Sequence, residues 1–148
     1  MSTFAPFTVR VYGTPKGQPR ARAFARNGMV RMYDPATAEG WKSQIAEAMR
    51  QHIPATPYEG PIRLDITFIM PRPKSHFRTG KNADVLRDDA PIWFTARPDR
   101  DNLDKACLDA LTQIGFWKDD CLACSGKIEK QYCNVNERPG AILDFSSL

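Results

Sequence analysis

The sequence lacks several features that would assign it quickly to a common class of protein. No run approaches the roughly 18 apolar residues that a membrane-spanning helix needs. The first 13 residues do not show the basic and then apolar layout of a signal peptide. Internal repeats and low-complexity tracts are absent as well. We therefore expect a cytoplasmic protein with no membrane partner.

Histidine and cysteine are scarce. Neither histidine, His52 or His76, stands beside a residue that could act as a nucleophile, which argues against a histidine-based mechanism. The spacing of Cys121 and Cys124 is that of half a zinc site, but in a strand an offset of three points the two thiols to opposite faces. We expect no zinc, and buried free thiols at the four cysteines, Cys107, Cys121, Cys124 and Cys133.

Acidic residues are missing from the first 33 positions, although the chain has 17 of them. The 148 residues suit one domain, and a composition of 42% hydrophobic and 26% charged residues is typical of a folded globular protein. The net charge of +4 is concentrated early in the chain and favours an anionic partner over a solvated basic face. The basic residues of this first segment are Arg10, Lys16, Arg20, Arg22, Arg26 and Arg31.

Hydrophobic periodicity and turn residues predict a mixture of strands and helices. Asn27 and Gly28 are typical of a tight hairpin turn, Asp34 followed by proline is typical of a helix start, and Gly115 is placed to end a helix that Asp101 or Asn102 caps. We expect Phe116 and Trp117 to pack in the core or at a dimer interface. The predicted strands are 8–12, 22–25, 30–33, 62–70, 121–132 and 141–145, the helices are 34–52 and 102–114, and a long loop spans 71–95.

Carboxylates are dense around the second helix. If the chain is extended from Asp99 to Asp101, both side chains point to the same side, where they repel each other unless a cation lies between them. Oxygen ligands of this type suit Mg²⁺ or Mn²⁺, and Lys105 lies close enough to reach the same place. Asp119 and Asp120 follow a helix about 20 Å long, so they reach this place if the chain doubles back or if a second subunit supplies them; we favour the first.

Each of these residues also has a simpler interpretation. Asp101 can cap a helix, with Asp99 a solvated loop residue. Lys105 can pair with Asp101 or Asp109 across one helical turn. The pair Asp119 and Asp120 can form a polar turn before a strand. The complete combination favours a functional site.

The stretch Pro98-Asp99-Arg100-Asp101-Asn102-Leu103-Asp104-Lys105, continued by Asp109-Ala110-Leu111 and by Trp117-Lys118-Asp119-Asp120, resembles the RusA family of Holliday-junction resolvases. The resemblance implies a small single-domain α/β (α+β) fold with a mixed sheet and two main helices, acting as a homodimer. It also implies Mg²⁺-dependent cleavage of four-way DNA, with Mn²⁺ as a substitute. Transferred to this chain, the catalytic residues are Asp99, Asp101, Asp120 and Lys105, and the metal ligands are the three aspartates together with Asp119.

The basic loop, the hairpin and the long loop before the motif are features that look like the phage and prophage branch of the family. We expect phosphate contacts from a set of basic side chains in these segments, and a role in DNA recombination or repair. These side chains are Lys16, Arg20, Arg22, Arg26, Lys74, Arg78 and Lys81. Two alternatives stay open: a nuclease of the same fold that prefers flaps or forks, and a DNA-binding module without catalytic activity.

Overall fold

A computed structural model describes residues 3–19, 22–26, 29–33 and 38–148. It contains seven strands and two α-helices within these residues. In chain order they are β1 Phe7–Tyr12, β2 Arg22–Arg26, β3 Met29–Tyr33, α1 Glu39–Met49, β4 Ile62–Met70, α2 Arg100–Gln113, β5 Ala123–Ser125, β6 Ile128–Tyr132 and β7 Gly140–Ser147. None of the described helices is long and apolar enough to cross a membrane.

Five strands form one mixed sheet, which confirms the predicted α+β class. β7 lies between β1 and β4 and is antiparallel to both, whereas β5 and β6 pair in parallel with the opposite edge of β4. β2 and β3 form a separate antiparallel pair, as the hairpin pattern predicts. The expected turn at Asn27 and Gly28 and the expected helix start at Asp34 lie outside the described residues.

The core lies between the sheet and the two helices. Side chains alternate along β4, so every second one from Ile62 to Met70 is buried in the core. Phe116 and Trp117 are almost fully buried, which confirms their predicted place in the core. Trp117 Nε1 donates a hydrogen bond of 2.7 Å to Thr112 Oγ1, so its one polar group is satisfied.

The prediction of one continuous strand over residues 121–132 is wrong. A 3₁₀ turn occupies Asp120–Leu122, and Gly126 separates β5 from β6. Gly126 has a φ of +145°, and a Cβ at this position would lie 1.8 Å from the carbonyl oxygen of Leu64. Only glycine permits this close approach, which breaks the pairing with β4 into two short parts.

Both helices differ from their predicted ends. α2 begins at Arg100, with Asp99 in the N-cap position, so neither Asp101 nor Asn102 is the cap. Since Asp101 already lies in the first helical turn, the expectation of an extended chain from Asp99 to Asp101 is also wrong. Gly115, with a φ of +78°, follows the end of α2 as predicted. α1 ends at Met49, and a 3₁₀ turn occupies Arg50–His52.

Two other predictions concern the long loop and the cysteines. Residues 71–95 contain two 3₁₀ turns but neither an α-helix nor a named strand, in agreement with the predicted loop.

All four cysteines are free thiols. Cys107 and Cys133 are buried, but Cys121 and Cys124 are exposed, because they lie in the turn and the short strand that replace the predicted long strand. The expectation of burial is therefore wrong for these two.

Candidate active site

The exposed side of α2 carries a charged ridge formed by Asp101, Lys105 and Asp109. Their spacing of four residues places them one above another on the same face of the helix. Lys105 Nζ lies 2.8 Å from Asp109 Oδ1 and 3.4 Å from Asp120 Oδ2. The hydrogen bond from Lys105 to Asp109 is the main cause that raises the pKa of the lysine. The ammonium group therefore stays charged between two carboxylates.

Asp120 reaches the ridge because the chain turns back after α2. The left-handed conformation of Gly115 ends the helix, and the two aromatic residues that follow are buried. Lys118 N then donates to Tyr58 O at 2.9 Å, which ties the returning chain to the segment before β4. Asp120 opens the next 3₁₀ turn and meets Lys105 within one chain. The chain therefore doubles back after α2 and brings Asp120 to Lys105 without a second subunit.

Asp119 has a different environment from its neighbour. Its Oδ1 accepts a hydrogen bond of 2.9 Å from Cys121 N at the start of the 3₁₀ turn. This backbone hydrogen bond is the main cause that lowers the pKa of the exposed Asp119 carboxyl. The simpler interpretation, a polar residue that stabilises a turn, therefore describes the Asp119 contact in the structure.

A cleft on one side of the ridge separates α2 from the N-terminal loop. We call it the Gln18 cleft: one part of about 490 Å³ is lined by Gln18, Pro19, Asp101, Asn102, Lys105 and Asp109. An adjoining part of about 380 Å³ reaches Gly17, Arg97, Pro98 and Asp99. Gln18 N donates to Asn102 O at 2.9 Å, and a Cβ on Gly17 would lie 3.0 Å from Asn102 Cβ. The loop that carries Lys16 is therefore held directly against α2.

The other predicted DNA contacts are less closely tied to this cleft. Lys16 is exposed on the loop, and Lys74 and Lys81 are exposed in the 71–95 loop. Arg78 forms an ion pair of 2.9 Å with Asp88, so part of its charge is already compensated. Arg20 lies outside the described residues, and only the backbone of Arg22 and Arg26 is described, in β2.

Asp104, on the other side of the ridge, is not among the site residues that the sequence predicts. Burial is the main cause that raises the pKa of its half-buried carboxyl, and the nearby charge of Asp120 raises it further. Arg100, one helical turn earlier, acts in the opposite direction. The spacing of four residues between Arg100 and Asp104 indicates in the sequence that the two charges can interact across one helical turn. The burial of Asp104 comes from contacts that the sequence does not reveal.

The donor groups suit a hard divalent cation, but three carboxylates do not converge on one point. Within the part of the chain that the structure describes, no group of three or more His, Cys, Asp or Glu side chains is arranged to hold a metal ion. Gln18 Oε1 is buried and accepts no hydrogen bond from any described residue. An amide oxygen of this kind is a hard donor that can accept from metal-bound water. The residue types of the site therefore fit Mg²⁺.

The family to which the chain is similar agrees with this geometry. The profile of the family described as "Endodeoxyribonuclease RusA" matches residues 12–140, which include the whole of α2 and Asp120. The chain belongs to the RusA family of endodeoxyribonucleases, as the resemblance of its motif predicts.

A curated relative comes from Bacillus subtilis (strain 168), where it is named "Uncharacterized protein YqaN". It is 36% identical over 122 residues, which is 82% of this chain and 84% of the relative. Since that name states no activity, the nuclease assignment rests on the family and on the residues around α2.

Proposed function

We propose that this protein is a Holliday-junction resolvase that makes paired, symmetric cuts by hydrolysing phosphodiesters on two opposing strands. The observation that carries the proposal is the contact between Lys105 and Asp120, which lie 15 residues apart in the sequence. This contact joins a cation and a half-buried carboxylate beside a cleft whose opposite wall belongs to the loop that carries Lys16. A scissile phosphate fits this combination of charges.

Lys105 acts on the phosphate as an electrostatic catalyst. Its ammonium group has three N–H donors, and two of them are directed to Asp109 and Asp120. The remaining donor is available to a phosphate oxygen in the Gln18 cleft, where negative charge increases in the transition state. A preorganised cation at such a place contributes strongly to catalysis. Asp109 acts as a positioning residue, because it orients the lysine.

In this proposal Asp99, Asp101 and Asp120 hold Mg²⁺, with Asp119 as a further ligand and Mn²⁺ as a substitute; no zinc is required. The bound ion would activate water and stabilise the leaving 3′ oxygen. Gln18 Oε1 supports the assignment, because an unpaired buried acceptor beside the carboxylates suits a hydrated cation. Asp119 can take part through Oδ2, because its contact with Cys121 N uses Oδ1 only.

DNA affinity in the proposal comes from the basic side chains at Lys16, Arg20, Arg22, Arg26, Lys74, Arg78 and Lys81, which contact phosphates without reading the sequence. A homodimer matches the near two-fold symmetry of the junction, so that each subunit makes one cut. Residues 1–148 form a single nuclease domain that acts in the cytoplasm, in recombination or repair of bacterial or phage DNA.

The test uses a labelled immobile four-way junction, a flap and a linear duplex, each incubated with Mg²⁺ and with EDTA. We expect symmetric nicks in the junction with Mg²⁺ only. Asp101→Asn should abolish cleavage while junction binding persists, and Asp84→Asn is the control with the same charge change in the exposed 71–95 loop. Retained cutting by Asp101→Asn would contradict the mechanism, and cutting of the flap alone would change the substrate. Tight binding without cutting in Mg²⁺ or Mn²⁺ would favour a non-catalytic module.

A further inference from the structure

A second cleft lies next to α2, on the other side of the charged ridge from the Gln18 cleft. Its inner part is a cavity of about 210 Å³ with apolar walls from Leu64, Leu108, Ala123 and Ile128. Asp104 is the one ionisable carboxylate among the lining residues. Drug-sized ligands occupy cavities of about 300 Å³ or more, so this one suits a smaller group. We call it the Asp104 cavity.

The cavity exists because of the break between β5 and β6. The conformation of Gly126 brings the chain against Leu64 O, and Gly126 and its neighbours Cys124 and Ser125 line the cavity on the side that faces Asp104 and Leu108. No described group donates a hydrogen bond to the Asp104 carboxylate, although the carboxylate is half-buried. Its acceptor sites are therefore open to a ligand that donates a hydrogen bond.

The outer part of the cleft is polar and continuous with the cavity. A space of about 470 Å³ shares Gly126 and Ile128 with it and is bordered by Arg100 and Lys127, with Glu129 beyond them. Both basic side chains are exposed. The cleft therefore combines a rim that suits a phosphate with an apolar interior that ends in a hydrogen-bond acceptor.

We propose that the Asp104 cavity binds one nucleobase of the DNA substrate, adjacent to the scissile phosphate, and that Asp104 accepts a hydrogen bond from its exocyclic amino group. The inference rests on the proposed nuclease function, because it takes the neighbouring phosphate to lie at Lys105. Arg100 and Lys127 contact the phosphate of the bound nucleotide. Carboxylates accept hydrogen bonds from base amino groups, which thymine lacks. Asp104 is thus the residue that determines where along a strand the enzyme cuts.

Bases near a branch point suit this role, because they are the ones that separate from their partners at least cost. Asp104 directly precedes Lys105 in α2, and the charge of Asp120 acts on its carboxyl. A base in the cavity therefore belongs to a nucleotide close to the scissile phosphate. The two clefts on either side of the ridge would hold consecutive parts of one strand.

The test measures binding in EDTA, so that it does not depend on cleavage. A set of four-way junctions carries a single abasic residue at each of the positions around the branch point, and dissociation constants are measured for each. We expect one position at which base loss weakens binding of the wild-type protein by between about fivefold and a hundredfold. At that position thymine should bind less tightly than cytosine in the intact junction.

Two variants make the measurement specific. Asp104→Ala removes the acceptor and Ala123→Leu fills the cavity, and each should abolish the dependence on that one base. Asp84→Asn, with the same charge change in the exposed 71–95 loop, should keep the wild-type pattern. Circular dichroism verifies that each variant is folded.

The outcomes separate this inference from the proposed nuclease function. The base site would be overturned if base loss changed the dissociation constant equally at every position, or if both cavity variants kept the wild-type pattern. This holds even if the protein cuts junctions. A position-specific effect that both variants remove would support it even if no cutting is found. Failure to bind any junction would overturn both proposals.

Discussion

The two faces of α2 differ in almost every physical respect. The inner face is an apolar stripe of fully buried side chains, among them Leu103, Cys107 and Leu111. The outer face carries charged side chains, and Lys105 there touches a residue 15 positions later in the sequence. The inner face stabilises the fold, and the outer face keeps a set of charges that the fold itself does not require. The stability of the fold and the charges of the ridge can therefore be changed separately within one helix.

The largest effect is expected on the inner face. Leu111→Ala removes a fully buried side chain from the core between α2 and the sheet, so it should lower the free energy of unfolding by about 2–5 kcal/mol. Urea denaturation measures the loss. The fraction that stays folded should keep its junction cleavage per molecule. A loss below about 0.5 kcal/mol would show that the inner face is not what stabilises the helix.

The matching change on the outer face is Lys105→Ala. It should lower the rate of junction cleavage by about 100- to 1000-fold, because it removes the cation that we propose to act on the scissile phosphate. Unfolding in urea should hardly change, since the side chain is half-exposed and its ion pairs lie at the surface. If Lys105→Ala lowered the free energy of unfolding as much as Leu111→Ala does, the two faces of α2 would not differ in the way described.

A smaller effect is expected from Lys16, on the loop that faces α2 across the Gln18 cleft. Lys16→Ala should weaken binding of junction, flap and duplex alike, because a phosphate contact is independent of sequence and structure. The slope of the logarithm of the binding constant against the logarithm of salt concentration should fall by about 1. Fluorescence anisotropy over a series of salt concentrations measures it. An unchanged slope would remove Lys16 from the DNA interface.

The smallest effect concerns stability at Asp104. Because the folded protein raises the pKa of this carboxyl, its contribution to stability is complete below the ordinary pKa of 3.8 and is lost as the pH rises through the folded pKa. Asp104→Asn should therefore be slightly more stable than the wild type at pH 7. The difference in urea midpoint should shrink as the pH falls towards 4. A difference that does not depend on pH would show that the Asp104 carboxyl is not the cause.

Much of the fold follows from local patterns in the sequence. β4 has the predicted bounds, because its β-branched and aromatic run ends at two prolines, and Gly115 ends α2 as its position indicates. The predicted strand at 121–132 fails because the break at Gly126 results from contact with Leu64, some 60 residues earlier. No local pattern contains that information.

The candidate site was predictable to a similar degree. Spacing alone places Lys105 and Asp109 together, and the family motif adds Asp120, which the structure brings to the same lysine. The prediction that Asp99 and Asp101 point the same way from an extended chain fails because the helix begins between them. Asp104 was missed because its burial depends on the path of the chain around Gly126, which is a property of the folded protein.

The hydrogen bond from Gln18 to Asn102 joins main-chain atoms only. A link of this kind survives the exchange of side chains at both of its ends. Basic residues of the N-terminal loop can therefore change during evolution while the distance from the loop to the charged ridge stays the same. Related proteins can in this way exchange the charges of the loop without rebuilding the charged ridge.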